Sequence, residues 1–293
     1  MESLDLRPDA VAWAAYELRL GALGELVALL ERANVPSLPI KGALLVRQLY
    51  DEPAERPLVD VDLLVTPADF RDVVRIARRS GFTLVWDSKQ LGNVNVHVRG
   101  IAIDVASSLG PPGLSALEVD ALLRRATRTD RILGFPHWQI ELHDHALVVA
   151  IDAFKDKLGS KPASRTDLLR LAEQPGFDPQ KLVRVASEAR LETLLRIVAS
   201  WLLRTDASAG WEDVLSELDT RPQRRLYAHA FRWLAQRQSL PLARIPLALL
   251  ARAASDDPVK RAAALGLGAA GTLAFIARNR GLEPKEIAPR RAS

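Results

Sequence analysis

Apolar residues recur at spacings of three and four through residues 8–33. Val11, Ala15, Leu18, Ala22, Leu26, Leu29 and Ala33 share one line, with Glu17, Glu25 and Arg32 off it. That period predicts an amphipathic helix, ended by Asn34-Val35-Pro36. Leu38-Pro39-Ile40 and Lys41-Gly42 follow, then a short helical segment over 43–50. Two prolines make 51–57 a loop. The period then drops to two. Across 58–65, Val59, Val61, Leu63 and Val65 alternate with Asp60, Asp62 and Leu64, which predicts a strand with both aspartates on one face. Thr66 starts a helix, with Pro67 at its first position and Asp69 in capping-box register. Phe70, Val73, Val74 and Ala77 form its stripe, and Gly81 stops it.

Residues 83–86 read as a further strand, and 94–98 with 101–105 as a hairpin turning at Arg99-Gly100. Ser115 and Glu118 stand in capping-box register for a helix over 115–126. From Asp144 onward the pattern is helical, broken near 160–163, 175–179, 205–210 and 241–246. Short mixed strands followed by a run of helices predict an α+β fold, a small mixed β-sheet lobe with a helical C-terminal lobe. The expected division is residues 1–143, the α/β core with its N-terminal helix, and residues 144–293, the helical domain. The tail from Leu282 is polar and basic and is expected to fray.

Composition narrows the chemistry. The 293 residues are 48% hydrophobic and 26% charged, ordinary globular values. With no cysteine, disulfides, thiolate nucleophiles and cysteine–zinc sites are excluded, and a cytoplasmic location is expected. Residues 1–10 lack a signal-peptide hydrophobic region. The longest apolar stretch, 262–277, is Ala/Gly-rich and falls short of the roughly 18–20 strongly apolar residues of a membrane span. It reads as a buried helix pair, with a membrane-touching helix as the alternative. A net charge of +4 suits polyanionic partners such as nucleotides or RNA, though an excess this small is first of all a solvated surface.

Two neighbouring carboxylates on one strand face are costly to bury without a cation between them. Magnesium, or manganese in its place, meets that need with oxygen ligands and bridges to substrate phosphates. Asp104 in Ile101-Ala102-Ile103-Asp104-Val105 is the one charge in an apolar strand, and so the candidate third carboxylate. Three carboxylates permit two metals, one on the attacking and one on the leaving oxygen.

The segment Ile40-Lys41-Gly42, then Leu49-Tyr50-Asp51, then Arg56-Pro57-Leu58-Val59-Asp60-Val61-Asp62-Leu63-Leu64-Val65 resembles the signature of a bacterial family of largely uncharacterised nucleotidyltransferases. That family belongs to the DNA polymerase β-like superfamily, alongside kanamycin nucleotidyltransferase and the abortive-infection toxin nucleotidyltransferases. A second segment, from Asp144-His145-Ala146-Leu147 through Lys155 and Lys157 to Arg165-Thr166-Asp167-Leu168-Leu169, is similar to the helical region that follows the core in these relatives. The resemblance implies that Asp60, Asp62 and Asp104 are catalytic and hold the metals, with Asp104 also polarising the acceptor hydroxyl. It implies that Lys41-Gly42 is a turn whose backbone N–H groups approach the triphosphate. Arg56 has two readings, a phosphate contact or a structural salt bridge. Lys157 and Asp167 are candidates for the nucleotide or acceptor side of the cleft, against the more common reading of exposed helix charges. Two departures stand out: Gly42-Ala43 replaces the frequent Gly-Ser, and Val105-Ala106 follow Asp104 where relatives often carry histidine.

His137, His143 and His145 cluster but do not have metal-ligand helix spacing, so loop or capping roles are expected. His97 reads as a core or edge residue, and Trp201, Trp211 and Trp233 as packing. The expected activity is transfer of a nucleoside monophosphate from an NTP, ATP included, with release of pyrophosphate. The acceptor is a small molecule, a protein or RNA. A toxin-like enzyme acting on tRNA and a catalytically silent nucleotide-binding module are the alternatives.

Overall fold

A computed structural model describes residues 8–88, 92–110, 114–158, 162–204, 206–218 and 221–237, with short pieces between 239 and 266. The expected helix pair at 262–277, save two single residues, and the basic tail lie outside the described residues. The fold is α+β. Five strands, β1 (Ser37–Ile40), β2 (Val61–Val65), β3 (Thr83–Ser88), β4 (Asn93–Val98) and β5 (Ile101–Ala106), form one mixed sheet in the order β1-β2-β5-β4-β3. β2 and β5 run parallel at its centre, and the other pairs are antiparallel. The β4–β5 hairpin turns through Arg99 at φ 51° and Gly100 at φ 82°. Two successive positive φ values match the right-handed twist of the strands they join.

Helices α1 (Pro8–Arg32) and α3 (Phe70–Arg79) pack together, α1 also against β4 and β5 and α3 against β3. The buried face of α1 is rotated from the expected one: Tyr16, Leu20, Leu23, Val27 and Leu30 are inside, while Val11 and Leu18 are 50% and 67% exposed. Two apolar stripes overlap along this helix, and the one with the larger side chains wins the core, because burial free energy scales with apolar area.

Three expected boundaries move. The helix expected from Thr66, with Pro67 at its first position, is α3 and begins at Phe70. β2 begins at Val61 rather than Leu58, because β1 and β5 offer partners only from residue 61 onward; Asp60 and Val59 are therefore exposed. The helix expected from Ser115 is α4 (Val119–Arg125). The Ser115 hydroxyl instead closes a local turn by accepting from the Leu117 N–H at 2.8 Å.

A two-stranded ribbon, β6 (Thr127–Thr129) and β7 (His137–Gln139), leads into α5 (Leu142–Lys155). Glu141 caps α5 by accepting from the N–H groups of His143 and Asp144. Every residue from His143 to Phe154 is buried, so α5 is the axis around which α6 (Pro162–Ala172), α7 (Pro179–Glu188) and α8 (Glu192–Leu202) pack. α9 (Ala209–Glu217) and α10 (Pro222–Ala235) lie against α7 and α8. Among the described residues no helix is long and apolar enough to cross a membrane.

Candidate functional site

The central strands and α5 enclose a cleft of about 300 Å³. Its sheet wall carries Asp62 and Leu64 from β2, Asp104 and Ala106 from β5, and Asn93 from β4; its helical wall carries Ile151, Asp152 and Lys155. Parallel pairing puts Asp62 and Asp104 directly opposite each other. Their neighbours Val61, Leu63, Ile103 and Val105 are buried. The alternation that sends these four residues into the core turns the two carboxylates to the cleft. With its amide nitrogen turned inward, Asn93 donates to Asp104 Oδ1 at 3.0 Å and to the Val105 carbonyl at 3.1 Å, which fixes the Asp104 rotamer. Asp60, exposed at the strand entrance, does not line the cleft.

Lys41 is the hinge of the site. It stands between β1 and α2 (Gly42–Leu49) with φ 52° and ψ −128°. This is the backbone of the first central residue of a type II′ turn, where glycine is the usual occupant. A side chain there costs of the order of 1–3 kcal/mol unless the surroundings enforce it. Two groups do so. The Lys41 N–H donates to His145 Nε2 at 2.9 Å. The ammonium sits 2.9 Å from both Asp62 Oδ1 and Asp152 Oδ1. The expected role for Lys41-Gly42 was a backbone turn; the structure adds a part-buried cation shared by two carboxylates.

The charges in the cleft do not balance pairwise. Burial opposes protonation of Lys41, but Asp62 and Asp152 outweigh it and hold the ammonium above the ordinary lysine range. Burial also lifts Asp62 above the ordinary carboxylate range; Asp60 and Asp152 add to the shift and Lys41 opposes it. The two directions agree once one ammonium is seen to serve several carboxylates. Such a site has room for more positive charge. His145 stays neutral, pushed down to about 3 by burial and then by Arg56 and Lys41. Its Nε2 lone pair is thereby kept available for the Lys41 N–H.

A chain with this sheet, this carboxylate pair and this preceding Lys-Gly turn matches a family model described as uncharacterised nucleotidyltransferase over residues 10–205. The chain belongs to that family. No curated protein matches the sequence. The matched region of this nucleotidyltransferase-family chain includes every candidate site residue from Lys41 to Asp167.

The remaining candidates fall elsewhere. Arg56 grips Asp167 with two guanidinium nitrogens, Nε at 2.7 Å from Oδ1 and Nη2 at 2.7 Å from Oδ2. The Tyr50 hydroxyl donates to the same Oδ1 at 2.7 Å. Arg56 and Asp167 side chains are 11% and 1% exposed. This pair joins α6 to the loop before β2 and does not line the cleft. Gly42 belongs to the same arrangement: a Cβ there would stand 2.6 Å from Arg56 Nη1 and 2.6 Å from Leu58 Cδ1. What needs the missing side chain is thus the Arg56 guanidinium and Leu58. Lys157, at φ 56° in the turn after α5, also lies off the cleft wall; Lys155 is the lysine on it.

The histidines have local partners. His143 Nδ1 meets Glu141 Oε1 at 2.7 Å, and its Nε2 accepts from the Asp178 N–H at 2.8 Å, tying the caps of α5 and α7. His137 Nδ1 lies 2.8 Å from the Phe135 carbonyl oxygen.

Sequence reasoning missed Asp152 and the bond from His145 to Lys41. The signal for Asp152 was present: it is the one charge in Ala146-Leu147-Val148-Val149-Ala150-Ile151-Asp152-Ala153-Phe154, the argument that had singled out Asp104.

Among the described residues no three acidic or histidine side chains converge as a ready-made metal cage. Two carboxylates on one cleft wall still suit magnesium, which takes one or two protein carboxylates and completes its shell with phosphate oxygens and water. Asp62 and Asp104 fit that donor set.

Proposed function

We propose that this chain transfers a nucleoside monophosphate from a nucleoside triphosphate to an acceptor hydroxyl. The observation that carries the reading is the in-register pair Asp62 and Asp104 on parallel neighbours. It faces a cleft whose other charged walls are Lys41, Asp152 and Lys155, in a chain of a nucleotidyltransferase family.

Asp62 and Asp104 would hold magnesium or manganese, with Asp60 at the entrance; the metal supplies charge neutralisation on the triphosphate. Lys41 and Lys155 meet the phosphate oxygens. The acceptor oxygen attacks the α-phosphorus in line. Its new O–P bond forms as the bond from the α-phosphorus to the bridging oxygen breaks, and pyrophosphate leaves with that electron pair. The Asp104 carboxylate, oriented by Asn93, takes the hydroxyl proton. Catalysis is then positioning and electrostatic stabilisation of the developing charge.

The test supplies each α-labelled NTP with magnesium or manganese to the full chain, together with total RNA, small-molecule pools or the polypeptide itself. Label transfer matched by pyrophosphate release is expected. Label on RNA assigns the tRNA-directed reading, and label on a small molecule or protein assigns the others. A second reading is a nucleotide-binding module without chemistry, which the Asp62 and Asp104 pair, with Asp60 off the cleft, would serve as well. Saturable NTP binding with no pyrophosphate release under any pairing would establish it and overturn the first.

A further inference from the structure

We propose that Lys41 is the resident counter-ion of Asp62, positioned by Asp152 and His145 of α5, and that it competes with a divalent cation for the Asp62 carboxylate. This rests on the metal-dependent reading of the cleft and adds to it a device that links the helical segment to the metal site.

Three independent observations carry the inference. The first is the backbone. Position 41 adopts a conformation that glycine enters freely and lysine does not. That strain points to a role for its side chain. A turn needed only for its N–H groups would be served better by Gly-Gly. The second is the tether. The ammonium contacts Asp62 and Asp152 at equal distances of 2.9 Å, while His145 fixes the backbone nitrogen of the same residue. Asp152 and His145 both come from α5, seven residues and two turns apart. One rigid helix thus holds Lys41 at both its backbone and its side chain. The third is the surrounding charge. Asp62, Asp104 and Asp152 all line the cleft with Lys41 and Lys155, and the Lys41 ammonium bridges Asp62 and Asp152.

The consequence is a shared position. While Lys41 is on Asp62, one of the two carboxylates available to a divalent cation is already engaged. When Lys41 yields Asp62, it keeps its bond to Asp152 and stays on the cleft wall, where a triphosphate would meet it. Asp152 and His145 are positioning residues in this scheme, acting through Lys41.

The experiment reads manganese binding to the nucleotide-free full chain by electron paramagnetic resonance, with thermal melts reporting folding. Lys41→Met should tighten manganese binding about tenfold. Lys41→Gly should do the same while relieving the backbone, which keeps the test valid if Lys41→Met does not fold. Asp152→Asn should weaken binding several-fold when Lys41 is present, because the ammonium then rests on Asp62 alone. In the Lys41→Gly background the same Asp152→Asn change should weaken it clearly less, leaving only the through-space loss of one nearby negative charge. Asp62→Asn should abolish binding in every background.

Manganese binding that depends on Asp62 but not on Lys41 would overturn the competition and leave the metal-centred function standing. An Asp152→Asn loss of equal size in both backgrounds would make Asp152 a direct ligand and overturn its tethering role. Absence of manganese binding in wild type and all variants would overturn the metal-centred function, and this inference with it.

Discussion

Two charged clusters hold α5 and α6 to the segments on either side of α2, and they are built on opposite plans. The Arg56–Asp167–Tyr50 cluster is closed. One guanidinium meets one carboxylate in bidentate geometry, a phenol satisfies the same oxygen, and Asp167 is almost fully buried. The Lys41–Asp62–Asp152 cluster is open. One ammonium serves two carboxylates on the wall of a cleft, a third carboxylate stands beside it, and the backbone at Lys41 is strained. A buried pair that is balanced and well formed avoids the cost of leaving either charge without its partner. An unbalanced, strained cluster opening on a cavity has no structural advantage over an apolar one, and strain of this kind gathers at functional sites. Charge balance, burial and backbone strain thus separate a closed fastener from the open cluster on which the proposed function rests.

Replacing one carboxylate in each cluster should give the largest and most opposite effects. Asp62→Asn should lower nucleotidyl transfer by at least about 100-fold, the scale of losing a preorganised electrostatic group. It should leave the fold intact, with a thermal midpoint at pH 7 equal to or above that of wild type. The sign follows from the raised Asp62 pKa. The folded state holds this proton more tightly than the unfolded chain, so ionised Asp62 opposes folding as pH rises above the usual carboxylate value. Asp167→Ala should show the reverse profile. It leaves the largely buried Arg56 guanidinium without its carboxylate, which costs up to about 3–5 kcal/mol. A urea titration checks this, and turnover per folded molecule should stay within a few-fold of wild type. If Asp167→Ala abolished turnover while the protein stayed folded, the division into fastener and site would fail, and Asp167 would return to the nucleotide side.

Much of this was legible in the chain. The period of two through Val61, Leu63 and Val65, and the lone charge in β5, were enough to place Asp62 and Asp104 on strands. Arg99-Gly100 was enough for the hairpin. Local pattern carries such features because each depends on neighbours within a few residues. It could not say that Arg56 and Asp167, 111 positions apart, would find each other. Arg56 had two readings of equal standing, and only the packing of α6 against the loop before β2 decides the geometry. The face of α1 failed for a related reason. Two stripes were both periodic, and only the shape of the sheet beneath selects one. Asp60 was placed inside a strand that starts one residue later, because the ends of its partner strands set that boundary.

A smaller effect separates the clusters by pH. His145 sits between them, its Nε2 on Lys41 and its ring near Arg56, and its pKa is pushed down to about 3. The unfolded chain takes up this proton near pH 6.5 while the folded chain does not. The stability from His145 is therefore complete above about pH 6.5 and is lost as pH falls toward 3. Each unit in that window costs up to about 1.4 kcal/mol. His145→Gln keeps an acceptor for the Lys41 N–H and removes the titration. Between pH 6.5 and 4.5 its stability should fall less steeply than that of wild type, by roughly 2–3 kcal/mol in total. That range lies above the window of Glu141. Burial raises the Glu141 pKa, but His143 and Lys181 outweigh it and bring it down to about 2. Parallel pH curves for the two proteins would mean that His145 is not held neutral, and that the backbone at Lys41 is fixed by something else.

The smallest effect tests whether stability and activity can be separated on β2 itself. Thr66 directly follows the strand that carries Asp62, is nearly buried, and belongs to neither cluster. Its hydroxyl accepts from the Asp69 N–H at 3.1 Å and donates to Asp69 Oδ2 at 2.7 Å, closing the turn into α3. Thr66→Ala removes both bonds and should cost about 1 kcal/mol, the usual scale for a helix N-terminal hydroxyl. A loss that small leaves the sheet paired. β2 is held by main-chain ladders to β1 and β5 on both sides, so Asp62 should keep its register opposite Asp104. Turnover per folded molecule should then match wild type within twofold, while the denaturation midpoint falls measurably. A large drop in turnover at normal stability would show that the α3 turn, and not the ladders alone, aims Asp62 into the cleft. The site would then have to be redrawn to include the turn that follows its strand.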